Sequence, residues 1–267
     1  MLHPLVENLP SYVIREGRKY HTSEQVEFLQ NLITKLSDVN SEDLGNAYNK
    51  IGIIYVYLNE FDKAVEAFKK SVLNQYSEVA YSNYLVTLDT SGKYNEAIEK
   101  GLEFLESNPN NKRIFSVVSE IIYRYPDIDY IESLSNYFKH QFDSEISRWE
   151  LQETRIQVER KLEVLDSLGI DKSYFNFITN LAFSEVAKIQ MGSTNFNSYL
   201  NEDIEQLMIN VEVLGINKED ISILNKNFDA RLNYLINNNS ISFNTYINHL
   251  MKFNFSFTTN DISQLVA

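Results

Sequence analysis

The side chains that most readily perform chemistry are few and dispersed. The four histidines, His3, His21, His140 and His249, share neither an HExxH pattern nor any paired-ligand spacing. His140 and Asp143 stand three residues apart where a helix is expected to end. An imidazole there meets the negative end of the helix dipole, a simpler role than metal ligand or general base. Cysteine is absent, which removes thiolate nucleophiles, disulfides, zinc fingers and iron–sulfur ligation. The eight glycines stand apart, so no phosphate-cradling loop and no G-x-S-x-G elbow is present. The carboxylate pairs Glu60/Asp62 and Glu219/Asp220 fall at helix starts or on solvated faces. The sequence is therefore read as non-catalytic, with no catalytic residue, no metal and no cofactor. Trp149, the only tryptophan, is expected to pack between the two halves of the chain; its other reading is an aromatic anchor for a partner.

Composition bounds the framework that carries these residues. At 267 residues the chain suffices for one large domain or two modest ones. A 43% hydrophobic and 23% charged make-up is that of a globular chain able to bury a core. Only 8 Gly and 4 Pro, against 17 Tyr and 16 Phe, point to long helices rather than a many-turned β-architecture. Lys and Arg total 24 against 37 Asp and Glu, a net charge of −13 that repels phosphate backbones and anionic membrane. The N-terminal segment lacks a basic region followed by an apolar one, and no run approaches the roughly 18 apolar residues of a membrane span. A cytoplasmic protein touching neither nucleic acid nor membrane is expected.

Hydrophobic periodicity places the helices. Thr22 and Gln25 form a capping box ahead of Val26, Leu29, Ile33 and Leu36. Tyr48, Ile51, Tyr55 and Leu58 then share a helical face; after the Asn59-Glu60 break, Phe61, Ala64, Val65, Phe68 and Val72 share another. Helices joined by so short a break pack antiparallel. The pattern returns 33 residues on: Phe61, Ala64 and Val65 are answered by Tyr94, Ala97 and Ile98, and Tyr48, Ile51 and Tyr55 by Tyr81, Tyr84 and Leu88. A more divergent third unit follows, with Ile114, Phe115, Val118, Ile121 and Ile122 on its first helix. Pro126 supplies its turn, and Ile131, Leu134 and Phe138 lie on its second helix.

This organisation resembles the tetratricopeptide repeat. The first unit matches the family pattern through Tyr48, Ile51-Gly52, Tyr55, Ala64 and Phe68, and departs from it at Ser71 and Tyr76. The second matches through Tyr81, Tyr84, Leu88, Ala97 and Pro109, with Leu85 where a small Gly is expected and Gly101 where a Phe is expected. The resemblance implies an all-α fold, an α-solenoid of antiparallel helix hairpins. The expected divisions are 1–40 as N-terminal extension and capping helix, 41–141 as repeats and 142–267 as a C-terminal helical domain.

Past residue 142 the repeat signature fades while helical periodicity persists. A long helix carrying Ile146, Trp149, Ile156, Leu162 and Leu165 is expected to stop at Gly169, and Asp171 to cap the next. LGIDK at 168–172 returns as LGINK at 214–218, which aligns Leu162, Leu165 and Leu168 with Met208, Val211 and Leu214. Duplication of a helical hairpin and chance repetition of a cap-and-stop phrase both account for this echo. Residues 241–267 are expected to form one or two short helices around His249 and Leu265.

By the resemblance, a partner peptide or helix lies in a concave groove lined by the first helix of each unit. The corresponding positions are Asn46, Asn49, Ile53, Val56 and Tyr57, then Val79, Asn83, Val86 and Asp89, then Arg113, Glu120 and Arg124. The family's carboxylate-gripping set falls on Asn49, Ile53, Asn83, Arg113 and Val117, a poor match, so a partly apolar groove for an amphipathic or extended segment is expected instead. The resemblance implies a scaffold for another protein or peptide, and the acidic balance favours a basic partner. The alternative is a peptide-sensing regulator of the bacterial tetratricopeptide-receptor type, without a DNA-binding domain of its own.

Overall fold

The computed structural model describes residues 9–38, 43–75, 77–138, 145–192, 194–238, 240–250 and 252–259. His3, His140, Asp143 and Leu265 lie outside these residues. The described chain is mainly α-helical with a small sheet. It divides into two compact units, with the break between Val158 and Glu159 and with Glu16–Arg18 assigned to the second unit.

In the first unit, α1 (Ser11–Ile14) precedes α2 (Ser23–Ser37). The Thr22 hydroxyl accepts from the Gln25 amide at 3.2 Å, and the Gln25 side chain accepts from the Thr22 amide at 3.1 Å, the expected capping box. Six helices follow: α3 (Leu44–Tyr57), α4 (Phe61–Asn74), α5 (Glu78–Thr90), α6 (Tyr94–Ser107), α7 (Lys112–Arg124) and α8 (Ile128–Phe138). Each packs on the next, and α3 on α5, α5 on α7 and α6 on α8 also touch. Two of the turns are replicas. Glu60 N–H reaches Tyr55 O at 2.9 Å and Lys93 N–H reaches Leu88 O at 2.9 Å, while Asn59 and Gly92 take left-handed φ of 63° and 89°. These bonds satisfy the last carbonyls of α3 and α5, the service a Schellman-type ending performs.

Small and large residues alternate reciprocally at the helix contacts. A Cβ on Gly52 of α3 would sit 2.6 Å from the Phe68 ring of α4, so the glycine admits the ring. At the positions 33 residues later, the large residue is Leu85 on α5 and the small one is Gly101 on α6. A Cβ on Gly101 would stand 3.3 Å from Leu85 Cδ1 and 2.2 Å from Val118 Cγ2 of α7. The two departures from the family pattern are thus one exchange of volume across a contact, which keeps the interior close-packed.

The helix α9 (Glu145–Ser167) contains the division between the units. Trp149, expected to be packed, is 65% exposed. Gly169 ends this helix with φ 59°, and Asp171 caps α10 (Lys172–Ile189) by accepting from the Ser173 and Tyr174 amides at 2.7 and 3.1 Å, both as expected.

The second unit departs from the all-α expectation. Strands β3 (Thr194–Asn201) and β4 (Gln206–Val213) form an antiparallel hairpin, and β5 (Phe253–Thr258) pairs parallel to β4. Between β4 and β5 the chain runs through α11 (Lys218–Asn237) and α12 (Phe243–Leu250), the crossover that a parallel pair demands. Leu207, Ile209, Val211 and Val213 alternate inward on β4, and Phe228 of α11 lies 5.3 and 5.5 Å from Phe255 and Phe257. The expected helical echo of 162–168 at 208–214 is corrected: Met208 and Val211 stand on a strand, because β-branched residues at a spacing of two favour the pleated form. Of the expected terminal helices, the short one around His249 is α12, and a strand rather than a helix follows it at Phe253–Thr258.

The short pair β1 (Gly17–Arg18) and β2 (Gln190–Met191) also belongs to the second unit. Arg18 forms an ion pair with Asp220, which is 2% exposed. A Cβ on Gly17 would lie 2.8 Å from Gly215 O, and both glycines have positive φ, so two backbones meet where side chains have no room.

Candidate functional site

The sequence-nominated face is built by α3, α5 and α7, each started by local chemistry or bounded by a tight turn. Ser77 caps α5 through the Ala80 amide at 3.3 Å, and Asn111 caps α7 through the Ile114 amide at 3.0 Å. Along this face Asn46, Asn49, Ile53, Val56 and Asn83 are half-buried, and Arg113 and Glu120 are exposed. Val79 and Val86 of α5 are 43% and 42% exposed, a large share for valine on a packed helix.

Two cross-links join neighbouring helices on this face. The Asn83 amide donates to Asn49 Oδ1 at 3.2 Å, linking α5 to α3. Arg124 Nη1 lies 2.7 Å from Asp89 Oδ2, linking α7 to α5, and Glu120 stands 3.7 Å from the same guanidinium. Asp89 is fully buried, and that burial pushes its carboxyl above the ordinary range against the pull of Arg124. Asp89 and Arg124 therefore fasten the helices to one another, and their buried side chains do not line an open surface.

Tyr57 is also buried, at 1% exposure, beneath the N-terminal segment of the same unit. Its hydroxyl donates to Tyr20 O, His21 Nε2 lies 2.7 Å from Tyr57 O, and Tyr12 packs 5.8 Å from its ring. Lys19 Nζ donates to Val56 O at 2.7 Å and to Asn59 Oδ1 at 2.8 Å, and its ammonium lies 5.3 Å from the centre of the Phe61 ring. Burial brings its pKa down to about 7. The end of the face at Val56 and Tyr57 is thus occupied by Tyr12 and by Lys19–His21 of the same unit. The signal in the sequence was Lys19-Tyr20-His21, three hydrogen-bonding side chains or carbonyls on an extended segment whose docking place periodicity does not reveal.

The second unit holds a feature that sequence reasoning missed. His249 of α12 is 7% exposed and stacks 4.6 Å from Tyr174 of α10. Its Nδ1 has no hydrogen-bond partner among the described residues. Burial, aided by Lys252, lowers its pKa from the ordinary value, with Asp171 opposing. A lone histidine on a short helix gave no spacing by which to predict that stack.

Among the described residues no three His, Cys, Asp or Glu side chains converge in a way that would hold a metal ion, and no helix is long and apolar enough to cross a membrane. Comparison with protein-family models, with curated proteins and with solved structures finds no match to this chain.

Proposed function

We propose that α3–α8 form a tetratricopeptide-like stack of three helix hairpins. It acts as a non-catalytic scaffold that holds a peptide or helix of a partner protein against α3, α5 and α7. The observation that carries this reading is the recurrence of one local solution at 33–34 residues. First helices start at Leu44, Glu78 and Lys112, second helices at Phe61, Tyr94 and Ile128, and the turns at Asn59 and Gly92 share their hydrogen bonds. A stack of that kind presents equivalent positions in rows, and here the rows offer amides (Asn49, Asn83), exposed valines (Val79, Val86) and charges (Arg113, Glu120). Amides supply donors and acceptors to a partner's backbone, and the valines supply apolar area at little entropic cost. The net charge of −13 favours a basic partner and faster encounter with it.

The test is capture of partners from the native cell by tagged wild-type protein and by Val79→Glu/Val86→Glu, with the fold of both checked by circular dichroism. Tyr57 is unsuited to this role because its ring is buried. A partner held by wild type and lost by the double variant supports the reading. A partner held equally by both overturns this face as the binding surface, and retention of small peptides alone would replace the scaffold with the peptide sensor.

A further inference from the structure

The second unit contains a cavity of about 290 Å³ whose lining is chemically one-sided. Four aromatic rings surround it: Tyr174 from α10, Phe228 from α11, Tyr246 from α12 and Phe255 from β5. Among the described residues that line it, Asp229 alone carries a formal charge, beside the amides of Gln206 and Asn254. Of the basic groups near these residues in sequence, Lys226 is exposed on the same helix three residues before Asp229, and two others have partners of their own. The Arg231 guanidinium lies 5.2 Å from the centre of the Tyr234 ring, and Lys252 Nζ donates to Gly169 O at 3.1 Å.

We propose that this cavity binds an alkylammonium group. Aromatic faces carry the negative part of the ring quadrupole and attract cations within about 6 Å. Asp229, exposed at the rim of the cavity, adds the attraction of a carboxylate for the same cation. The two amides offer carbonyl oxygens to the ammonium N–H groups. An anion would be repelled by the Asp229 carboxylate, and a neutral group would draw no attraction from it. The volume suits a small organic cation with a short aliphatic stem rather than a drug-sized ligand. The stacked and packed walls are already in place: Phe228 and Phe255 lie 5.3 Å apart, and Tyr174, held against His249, has its hydroxyl pKa pushed up to about 12 by burial. It therefore stays a neutral phenol at physiological pH. This site is independent of the scaffold reading of the first unit, since every lining residue belongs to the second.

The test titrates n-butylammonium and the neutral alcohol 1-pentanol, whose apolar stem is one methylene longer, into the full chain, following backbone amide shifts by NMR. Saturable shifts are expected at Tyr174, Asp229, Tyr246 and Asn254, with 1-pentanol binding about tenfold more weakly or worse. Asp229→Asn should weaken butylammonium by about tenfold. Glu219→Gln makes the same charge change at an exposed position on the same helix and should leave the affinity unaltered. Tyr246→Leu, which removes one ring, should weaken it about threefold. Equal affinity for 1-pentanol would make the cavity merely apolar, and equal loss in Glu219→Gln would reduce the effect to net charge. Shifts that map elsewhere, or an absence of saturation by millimolar ligand with the wild-type spectrum intact, would overturn the site altogether.

Discussion

The two units meet the same demand, burial of apolar area with every backbone group satisfied, in opposite ways. The first repeats a solution: helix, tight turn with a left-handed residue, helix, and a small residue opposite a large one. Most of its contacts join elements adjacent or next-but-one in sequence. The second uses each device once, with one hairpin, one parallel crossover, one buried lysine over Phe196 and one histidine stacked on Tyr174. Repetition makes an exchange of volume visible: where the first hairpin sets Gly52 against Phe68, the second sets Leu85 against Gly101. A unit built of single devices holds no second copy in which the same contact is solved the other way round.

That contrast can be broken most severely at the buried ion pair. Arg124→Met leaves the Asp89 carboxylate buried without its cation, and a loss of about 3–5 kcal/mol is expected in urea denaturation of the first unit. Asp89→Leu combined with Arg124→Met should recover most of it, and a double variant no more stable than the single would show that the pair is not acting as one. Next in size is Gly101→Ala. Alanine ordinarily gains about 1 kcal/mol over glycine inside a helix. Here its methyl would stand 2.2 Å from Val118 Cγ2, so a net cost of about 1–3 kcal/mol is expected instead. Val118→Ala in the same chain should remove part of that cost; strict additivity of the two changes would refute the close approach of position 101 to Val118.

Lys19 sharpens the comparison through pH. Its pKa is lowered to about 7 in the folded chain, so between about 7 and 10 the unfolded chain binds more protons and stability rises with pH. The slope from this one group is at most about 1.4 kcal/mol per pH unit. Wild type should gain on Lys19→Met as pH is raised from 7 to 10, and parallel curves for the two would contradict the buried assignment. In the second unit, Asp171→Ala removes the cap of α10 and should cost about 1 kcal/mol near neutrality. Hydrogen bonds from Ser173 and the Tyr174 amide hold the Asp171 carboxyl below its ordinary value. Its contribution is therefore complete above the ordinary carboxylate range and fades as pH falls through that lowered value, where the two melting curves should converge. The smallest effect expected is that of Val86→Glu on stability, within about 0.5 kcal/mol, since the side chain is 42% exposed.

The helical part was legible because its signals are local. Thr22-Gln25, Asp171 and Gly169 act within one turn of their own position, and the Asn59-Glu60 break recurs at Gly92-Lys93. The sheet was hidden by competing periods. Leu207, Ile209, Val211 and Val213 alternate, yet Met208, Val211 and Leu214 offer a helical spacing through the same residues, and the LGINK echo drew attention to it. Phe253, Phe255 and Phe257 carry an equally plain alternation, but their partner strand lies some 46 residues earlier in the chain. At the candidate face, the positions were legible and their accessibility was not. What covers Tyr57 is a segment 37 residues away in sequence, and what buries Asp89 is an arginine on a different hairpin.

The pairing of Gly17 and Arg18 with residues some 170 to 200 positions later also sets an order in time. Arg18 meets Asp220 across 202 residues, and its strand partner is Gln190. During synthesis at about 5–20 residues per second, those partners emerge roughly 10–40 s after Arg18 does. The helices from α3 to α8 pack on helices near them in sequence, so they can close while Glu16–Arg18, which belong to the second unit, still wait. A ribosome-stalled chain ending near residue 180 should therefore expose the bond after Arg18 to trypsin, and release of the remaining residues should protect it.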